Sequence, residues 1–484
     1  MPPSRVLFVT GKLAEPALRR TLAEMRPPFG VEIAVLKITV AALMTTPWIA
    51  KFLTVPEGTD LILLPGLVEG EVGLLQERFG VPVAKGPKDL REIPQHFGQA
   101  AAVRNYGAWD IEILAEINNA PKRTQSEVRR EAEHYRASGA DVIDVGCTPG
   151  VAAPHLGTLV RELREGGLRV SIDSFERAEI RTAVEAGAEL VLSVNGSNID
   201  VLEDLKGTAT KVVAIPDFGA GLASLEPTLA ALERARIEYL IDPIIEPIGF
   251  GFLASLERYA ETHRRYPEAG LMMGIGNITE LTSADSTGVN AILMAICQEV
   301  GVKAVLTTEV IPWAHGAVRE IDIARRLMHY AVTQQTLPKG VDNRLVTVKD
   351  ARVLSYSEQE LRELQAEVKD ANFRIFTALD TITVFNHERF IRGTEIQEIF
   401  DQLGVADASH AFYLGKELAK ARLAIALGKT YRQEGQLDWG YLTPPEDARR
   451  EHFKPTMHRA RAGDPRDQPQ SETPGRPPDD ASDA

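Results

Sequence analysis

Cysteine is scarce: Cys147 and Cys297 are the two in a chain of 484 residues. They form no CxxC pair, and zinc would need further ligands nearby, so a thiolate metal centre is not indicated and a reducing, cytoplasmic setting fits. Long apolar runs are missing too. No stretch approaches the roughly 18–20 apolar residues of a membrane span. The opening Met-Pro-Pro-Ser-Arg followed by Val6–Val9 is too short, and lacks the cleavage sequence, for a signal peptide. Basic charge is in deficit: 54 Lys and Arg against 68 Asp and Glu give a net charge of −14. That balance argues against broad binding of nucleic acid or an anionic membrane, although a local basic pocket can sit in an acidic protein. The first strand-like run ends Thr10-Gly11-Lys12, which is neither GxGxxG nor a P-loop.

What the chain does have is a row of short apolar runs that end in Asp or Asn. They are Ile-Asn-Asn (117–119), Val-Ile-Asp-Val-Gly (142–146), Val-Ser-Ile-Asp-Ser (170–174), Val-Leu-Ser-Val-Asn-Gly (191–196) and Leu-Ile-Asp-Pro (240–243). A buried strand that stops at such a residue places a hydrogen-bonding group at its carboxyl end. In a β/α barrel those ends share one face, the face on which barrel enzymes do their chemistry. Eight strand–helix units fit between residues 110 and 336, with strands near 111–117, 142–145, 170–172, 190–194, 212–215, 239–241, 271–274 and 304–307. Gly139-Ala140 and Gly187-Ala188 stand where helices should stop, glycine entering the left-handed region cheaply.

The fold expected is α/β: a TIM (β/α)8 barrel at 105–336, preceded by a Rossmann-like α/β domain at 1–104. An α+β appendage follows at 337–455, with a disordered tail at 456–484, where Pro, Asp, Ser, Arg and Gly replace large apolar residues. In the N-terminal domain strands are expected near Val6–Thr10, Ile33–Leu36, Leu61–Leu64 and Val83. Its role reads as docking or oligomerisation, with nucleotide binding the alternative.

The strand-end groups Asn118, Asp144, Asp173, Asn195 and Asp242 form the candidate site, joined by Ser193, which alternation puts on the same side of the strand as Asn195. Several carboxylates in one pocket suit a ligand rich in N–H donors, such as a pterin ring, whose 2-amino and N3–H edge offers two parallel donors to one carboxylate. A helix-capping role for Asp173 and a packing role for Asp144 are the alternatives.

These segments resemble the motifs of the dihydropteroate synthases and the wider pterin-binding barrel family. Gly-Ala-Asp-Val-Ile-Asp-Val-Gly-Cys-Thr-Pro-Gly (139–150) is similar to that family's second-strand motif, without its acidic and arginine part. Ser-Ile-Asp-Ser-Phe (171–175) is similar to the third-strand motif, whose pterin-contacting Asp corresponds to Asp173. Ile-Asn-Asn-Ala-Pro (117–121) resembles the first-strand segment, whose magnesium-binding Asn corresponds to Asn118. Leu-Ser-Val-Asn-Gly (192–196) fits the fourth-strand segment with a shift, making Asn195 a pterin ligand. Ile-Asp-Pro and Gly-Phe-Gly (241–251) resemble the sixth-strand motif, giving Asp242, with Glu246 as the competing alignment.

Two departures stand out. The family's seventh-strand lysine segment is here Gly-Ile-Gly-Asn-Ile-Thr-Glu (274–280), which offers Asn277 instead. Its eighth-strand Arg-x-His is here Leu-Thr-Thr-Glu-Val (306–310). The pterin half of the site is kept and the second-substrate half rebuilt.

Over its whole length the chain resembles the long dihydropteroate-synthase-like proteins of archaea and methylotrophs, associated with tetrahydromethanopterin biosynthesis. The resemblance implies a transferase with Mg2+, a pterin substrate and an arylamine, a ribofuranosylaminobenzene phosphate in place of p-aminobenzoate. Lys122 and Arg123, or His315 and Arg319, are the candidates to meet the diphosphate. A homodimer is compatible with such a barrel. A pterin-dependent methyltransferase and a non-catalytic pterin-binding subunit are the competing readings. Against the former, the chain has no Asp-x-His-x-x-Gly cobalamin motif, although a partner could carry the corrinoid.

Overall fold

A computed structural model describes residues 3–88, 90–98 and 106–444. The expected boundary at 104/105, the end of the appendage at 445–455 and the tail at 456–484 lie outside them. Residues 1–441 form one compact unit, and of the second unit, 442–484, only 442–444 are described.

Three sheets follow one another along the chain. The first is parallel: β1 (Arg5–Gly11), β2 (Gly30–Leu36), β3 (Leu61–Leu64) and β4 (Val83–Lys85), in the spatial order β2-β1-β3-β4. The second is a closed parallel barrel of β5 (Glu112–Ile117), β6 (Val142–Gly146), β7 (Val170–Asp173), β8 (Leu190–Val194), β9 (Lys211–Ala214), β10 (Tyr239–Ile241), β11 (Gly270–Gly274) and β12 (Val302–Thr307). All eight strands stand where the sequence pattern places them. The third sheet is antiparallel, β13 (Arg374–Ala378), β14 (Thr381–Phe385) and β15 (Phe390–Gly393), packed with helices Ile396–Leu403 and Ala408–Leu427. β15 and the helix after it had no counterpart in the sequence reading.

The barrel forms because its strands have two apolar faces. Leu114, Val142, Leu190, Leu192, Val213, Met272 and Ala304 fill the interior. The alternate residues, Ile113, Ile143, Ile172, Val191 and Val212 among them, pack outward under the helices. Helix Gln125–Ser138 starts on a Thr124–Glu127 capping box and stops at Gly139, with φ at 112°. Gly187 ends its helix the same way, at φ 106°.

Closure is secured by β12 pairing with β5, Ala304 to Glu112 through Thr307 to Ala115. Over this seam lies Arg325, 1% exposed, on helix Ala317–Thr333. Its guanidinium donates to Asp322 at 2.8 Å, Asp141 at 2.5 Å, the Ile111 carbonyl at 2.7 Å and the Gly139 carbonyl at 3.1 Å. One side chain thus ties the last helix to the first strand and to the entry of the second. Arg325→Met leaves buried acceptors unpaired and should lower unfolding free energy by about 3 kcal/mol or more. Urea unfolding followed by circular dichroism measures this, and a loss under about 1 kcal/mol would show the network to be dispensable.

Candidate functional site

The residues that matter are set by strand register. Glu116 pairs with Asp144 and Asp144 with Ser171, so their side chains sit at one level of the barrel interior. Asp173 stands opposite Gly146 one step nearer the carboxyl end. Oxygens of Glu116, Asp144 and Asp173 all lie within 4.8 Å of one another. Glu116 fits because residue 146 is glycine: a Cβ there would come 2.5 Å from its Oε1.

The charges acting on this cluster are its own. Burial first, then the negative charges of Asp173 and Glu280, push the Glu116 carboxyl up to about 7. Burial, then Asp173 and Glu116, hold Asp144 well above the usual carboxylate range against the pull of the Ser171 hydroxyl. Burial raises Asp173 and Glu280 as well. Asp144 is fully buried, and its Oδ1 accepts from Ser171 Oγ at 2.6 Å while its Oδ2 has no partner. A buried polar atom left unpaired is costly, so this floor is made for something that donates to it. A hard cation with oxygen ligands or a ring rich in N–H groups would do so.

Other predicted residues are also placed. Asp173 caps no helix: Ser174 Oγ takes the Glu176 N–H at 3.0 Å, leaving the Asp173 carboxylate to the cluster. Asp242 is 7% exposed at the end of β10, and its Oδ1 accepts from the Tyr259 hydroxyl at 2.5 Å and from the Ile244 N–H at 2.7 Å. Burial pushes it up to about 6 against those two bonds and the Arg258 charge. Glu246 lies farther along the loop, half exposed and 3.7 Å from Arg258. Asn195 is an N-cap: its Oδ1 accepts from Ser197 N at 2.9 Å and Ser197 Oγ at 2.6 Å.

Ser193 does not share its side by simple alternation, because it has a φ of 67° and the pairing of β8 with β9 shifts register between Val191 and Val194. Asn277 is exposed, on the short helix Gly276–Thr279, and its amide donates to the Ile245 carbonyl at 3.2 Å. Cys147 stands beside the cluster, its thiol kept protonated by burial and by Glu179, which makes it a poor nucleophile.

A second space opens at the carboxyl ends of β5 and β12, a cavity of about 740 Å³ lined by Asn118, Arg123, Arg130, His134, Glu309 and His315 among others. Asn118 Oδ1 accepts from the Thr308 hydroxyl at 2.8 Å. A hydroxyl can turn away, so this amide oxygen fits a magnesium ion that takes its other oxygens from phosphate and water. Arg123 is paired with Glu131 at 2.5 Å, and Lys122 is exposed. Glu309, at the position of the missing Arg-x-His, accepts from the Val318 N–H at 3.0 Å and faces His134 at 3.4 Å and His315 at 3.7 Å. Arg319 lies 3.8 Å from Asp322.

Residues 118–216 match the family model described as pterin binding enzyme, which spans Asn118, Asp144, Asp173 and Asn195. The chain is similar to the dihydropteroate synthases. Residues 4–88 match a family of unknown function (DUF6513), and residues 351–434 match the model named PterinBD-DUF4346. An uncharacterized protein of Methanocaldococcus jannaschii is 27% identical over 90% of this chain and 99% of its own length. Among solved structures, a Yersinia pestis dihydropteroate synthase with a pterin–sulfa conjugate is 18% identical, with a TM-score of 0.38 over 46% of this chain and 95% of its own. The Burkholderia cenocepacia dihydropteroate synthase complexed with 7,8-dihydropteroate is 20% identical, with a TM-score of 0.36 over 46% of this chain and 93% of its own.

The barrel adds Glu116, Glu280, Glu309 and His134 to the residues that the sequence motifs point to. Glu116 had a signal: it lies two residues before Asn118, the spacing that puts side chains on one side of an extended chain. The others meet the site only through the fold.

A pH dependence follows. An unfolded glutamate titrates near 4.3, and Glu116 in the folded chain near 7, so the native state holds the extra proton between them. Stability therefore falls as pH rises through that window, by up to about 4 kcal/mol. Glu116→Gln should flatten much of that slope and be the more stable protein at pH 8.5. Urea midpoints at pH 5, 7 and 8.5 test it; parallel curves for the two proteins would show that Glu116 carries no such strain.

Proposed function

We propose that this protein binds a dihydropterin in the barrel mouth and joins it to an arylamine. The observation that carries the reading is the fully buried, unpartnered Asp144 oxygen beside Asp173 and Glu116. In their ionised form these carboxylates accept hydrogen bonds, which matches the 2-amino and N3–H edge of a pterin. The match of residues 118–216 to the pterin-binding family supports it.

In this reading Asp173, Asp144 and Asp242 bind the ring, with Ser193, Asn195 and Asn277 at its margin. The outer cavity takes the 6-hydroxymethyl diphosphate. The acids would repel that group at the floor, so it lies toward Arg123 and His315, which line the cavity, with Lys122 and Arg319, outside its lining, as the further candidates. The amine nitrogen attacks the methylene carbon, the carbon–oxygen bond breaks, and pyrophosphate leaves with the bonding pair. The ammonium so formed loses its proton to a nearby base, for which Glu116 is suited. The chain's share is alignment and a fixed electrostatic frame. Magnesium, held through Asn118, would neutralise charge on the leaving phosphate oxygens.

The arylamine we favour is a ribofuranosylaminobenzene phosphate of tetrahydromethanopterin-type biosynthesis. The rebuilt eighth strand and the archaeal source of the full-length relative support it. We further expect a cytoplasmic protein, with no nucleic-acid or membrane partner and a homodimer as its assembly. Among the described residues no helix is long and apolar enough to cross a membrane.

Pyrophosphate released from dihydropterin diphosphate only when arylamine is present is the expected result with purified protein and Mg2+. Methyl transfer from a methylated tetrahydropterin would make it a methyltransferase instead, and pterin binding without turnover a binding subunit. Asp173→Asn and Asp242→Asn should each weaken pterin binding by about 1.5–3 kcal/mol, read by fluorescence titration. If both variants bind pterin as the parent does, the ring lies elsewhere.

A further inference from the structure

The N-terminal sheet reverses direction between β1 and β3: the chain leaves β1 for β2 on one side and returns to β3 on the other. In open parallel sheets the crevice outside the carboxyl ends at such a reversal is where ligands bind. Here it holds a cavity of about 490 Å³, bounded by Thr10 at the end of β1, the loop after β3, the loop after β4, and residues 336–340, which follow the last barrel helix. That volume lies within the usual range for small-molecule sites.

Three observations give the cavity a chemistry. Leu13, Val40, Leu67 and Leu337 are 48%, 39%, 49% and 55% exposed and all line it, an apolar collar left to water. Its two loops meet backbone to backbone: Gly86 N–H bonds the Leu64 carbonyl at 2.8 Å, and a Cβ on Gly66 would come 2.4 Å from the Pro87 carbonyl. These two walls of the crevice are thus fixed to each other. Finally, in a chain of net charge −14, Lys88 and Lys339 line the same cavity from separate segments, and neither has an ion-pair partner among the described residues.

We propose that this crevice is a second small-molecule site, for an organic anion with an apolar ring body, its phosphate or carboxylate group held by Lys88 and Lys339. Its chemistry is the reverse of the barrel floor, where acids gather without cations. It stands independently of the pterin reading.

The test uses the full chain and four probes followed by titration calorimetry: 1-naphthyl phosphate, 2-naphthoate, neutral 1-naphthol and inorganic phosphate. The aryl anions should bind with one equivalent, at least tenfold tighter than naphthol, and inorganic phosphate should not bind measurably. Whichever aryl anion binds tighter identifies the headgroup. The double variant Lys88→Gln, Lys339→Gln should lose tenfold or more for the anions and nothing for naphthol. Both lysines are exposed, so its folding is not at stake. Ala17→Trp, which fills the crevice, should abolish binding of all the aryl probes, and Leu67→Glu on the exposed collar is a second block. Asp173→Asn in the barrel should change none of these values. Anion binding indifferent to the lysines and to both blocks, or no preference over naphthol, overturns the proposal.

Discussion

Like charges held close together without a countercharge are the constraint around which the barrel is arranged. Glu116, Asp144 and Asp173 repel one another in a buried space, and the charges that act on them are carboxylates. Such a cluster persists only if the scaffold fixes it by stronger means. Here the means are the eight-strand closure, the Arg325 clamp over its seam and the Ser171 hydrogen bond to Asp144. Part of the repulsion is relieved by protons, as the raised position of Glu116 records. A ligand that brings N–H donors or positive charge would relieve more, so binding and stability are linked through the same oxygens.

The two ends of the mouth divide the chemistry. The floor is acidic and suits a donor-rich ring. The outer cavity mixes Arg123, Arg130 and two histidines with Glu127, Glu131 and Glu309. A molecule polar at both ends, with donors on one and phosphates on the other, has one orientation that avoids repulsion. Glu309 lies in the segment 306–310 that stands in place of the related motif's Arg-x-His. His134 and His315 stand beside it, at 3.4 and 3.7 Å.

Much of the architecture was legible because strands such as Val142–Gly146 and Leu190–Val194 are apolar on both faces and end at punctuating residues. Helix stops at Gly139 and Gly187 were legible for a local reason, the left-handed turn. The missed strand, Phe390–Gly393, is four residues long with Arg392 inside it, too short for a period to show. Asp144, Asp173 and Asp242 could be named from strand ends, but the convergence of the first two with Glu116 and Glu280 depends on register across the barrel, which no local pattern encodes, and Asp242 is bonded to Tyr259 instead. Ser193 failed for the opposite reason: its positive φ breaks the alternation from which its direction was inferred.

The missing side chain of Gly146 carries a historical consequence. Its hydrogen is what leaves room for the Glu116 carboxylate, since a Cβ would lie 2.5 Å from Oε1. The two positions are therefore not free to drift apart. A lineage that acquires a side chain at 146 must redirect or shorten residue 116, and one that loses the acid at 116 leaves only the Ile117 carbonyl, 3.3 Å away, to crowd a Cβ at 146. Among descendants of this barrel the pair should be inherited as a unit, and a sequence that breaks one half of it marks a branch whose pocket has changed its ligand.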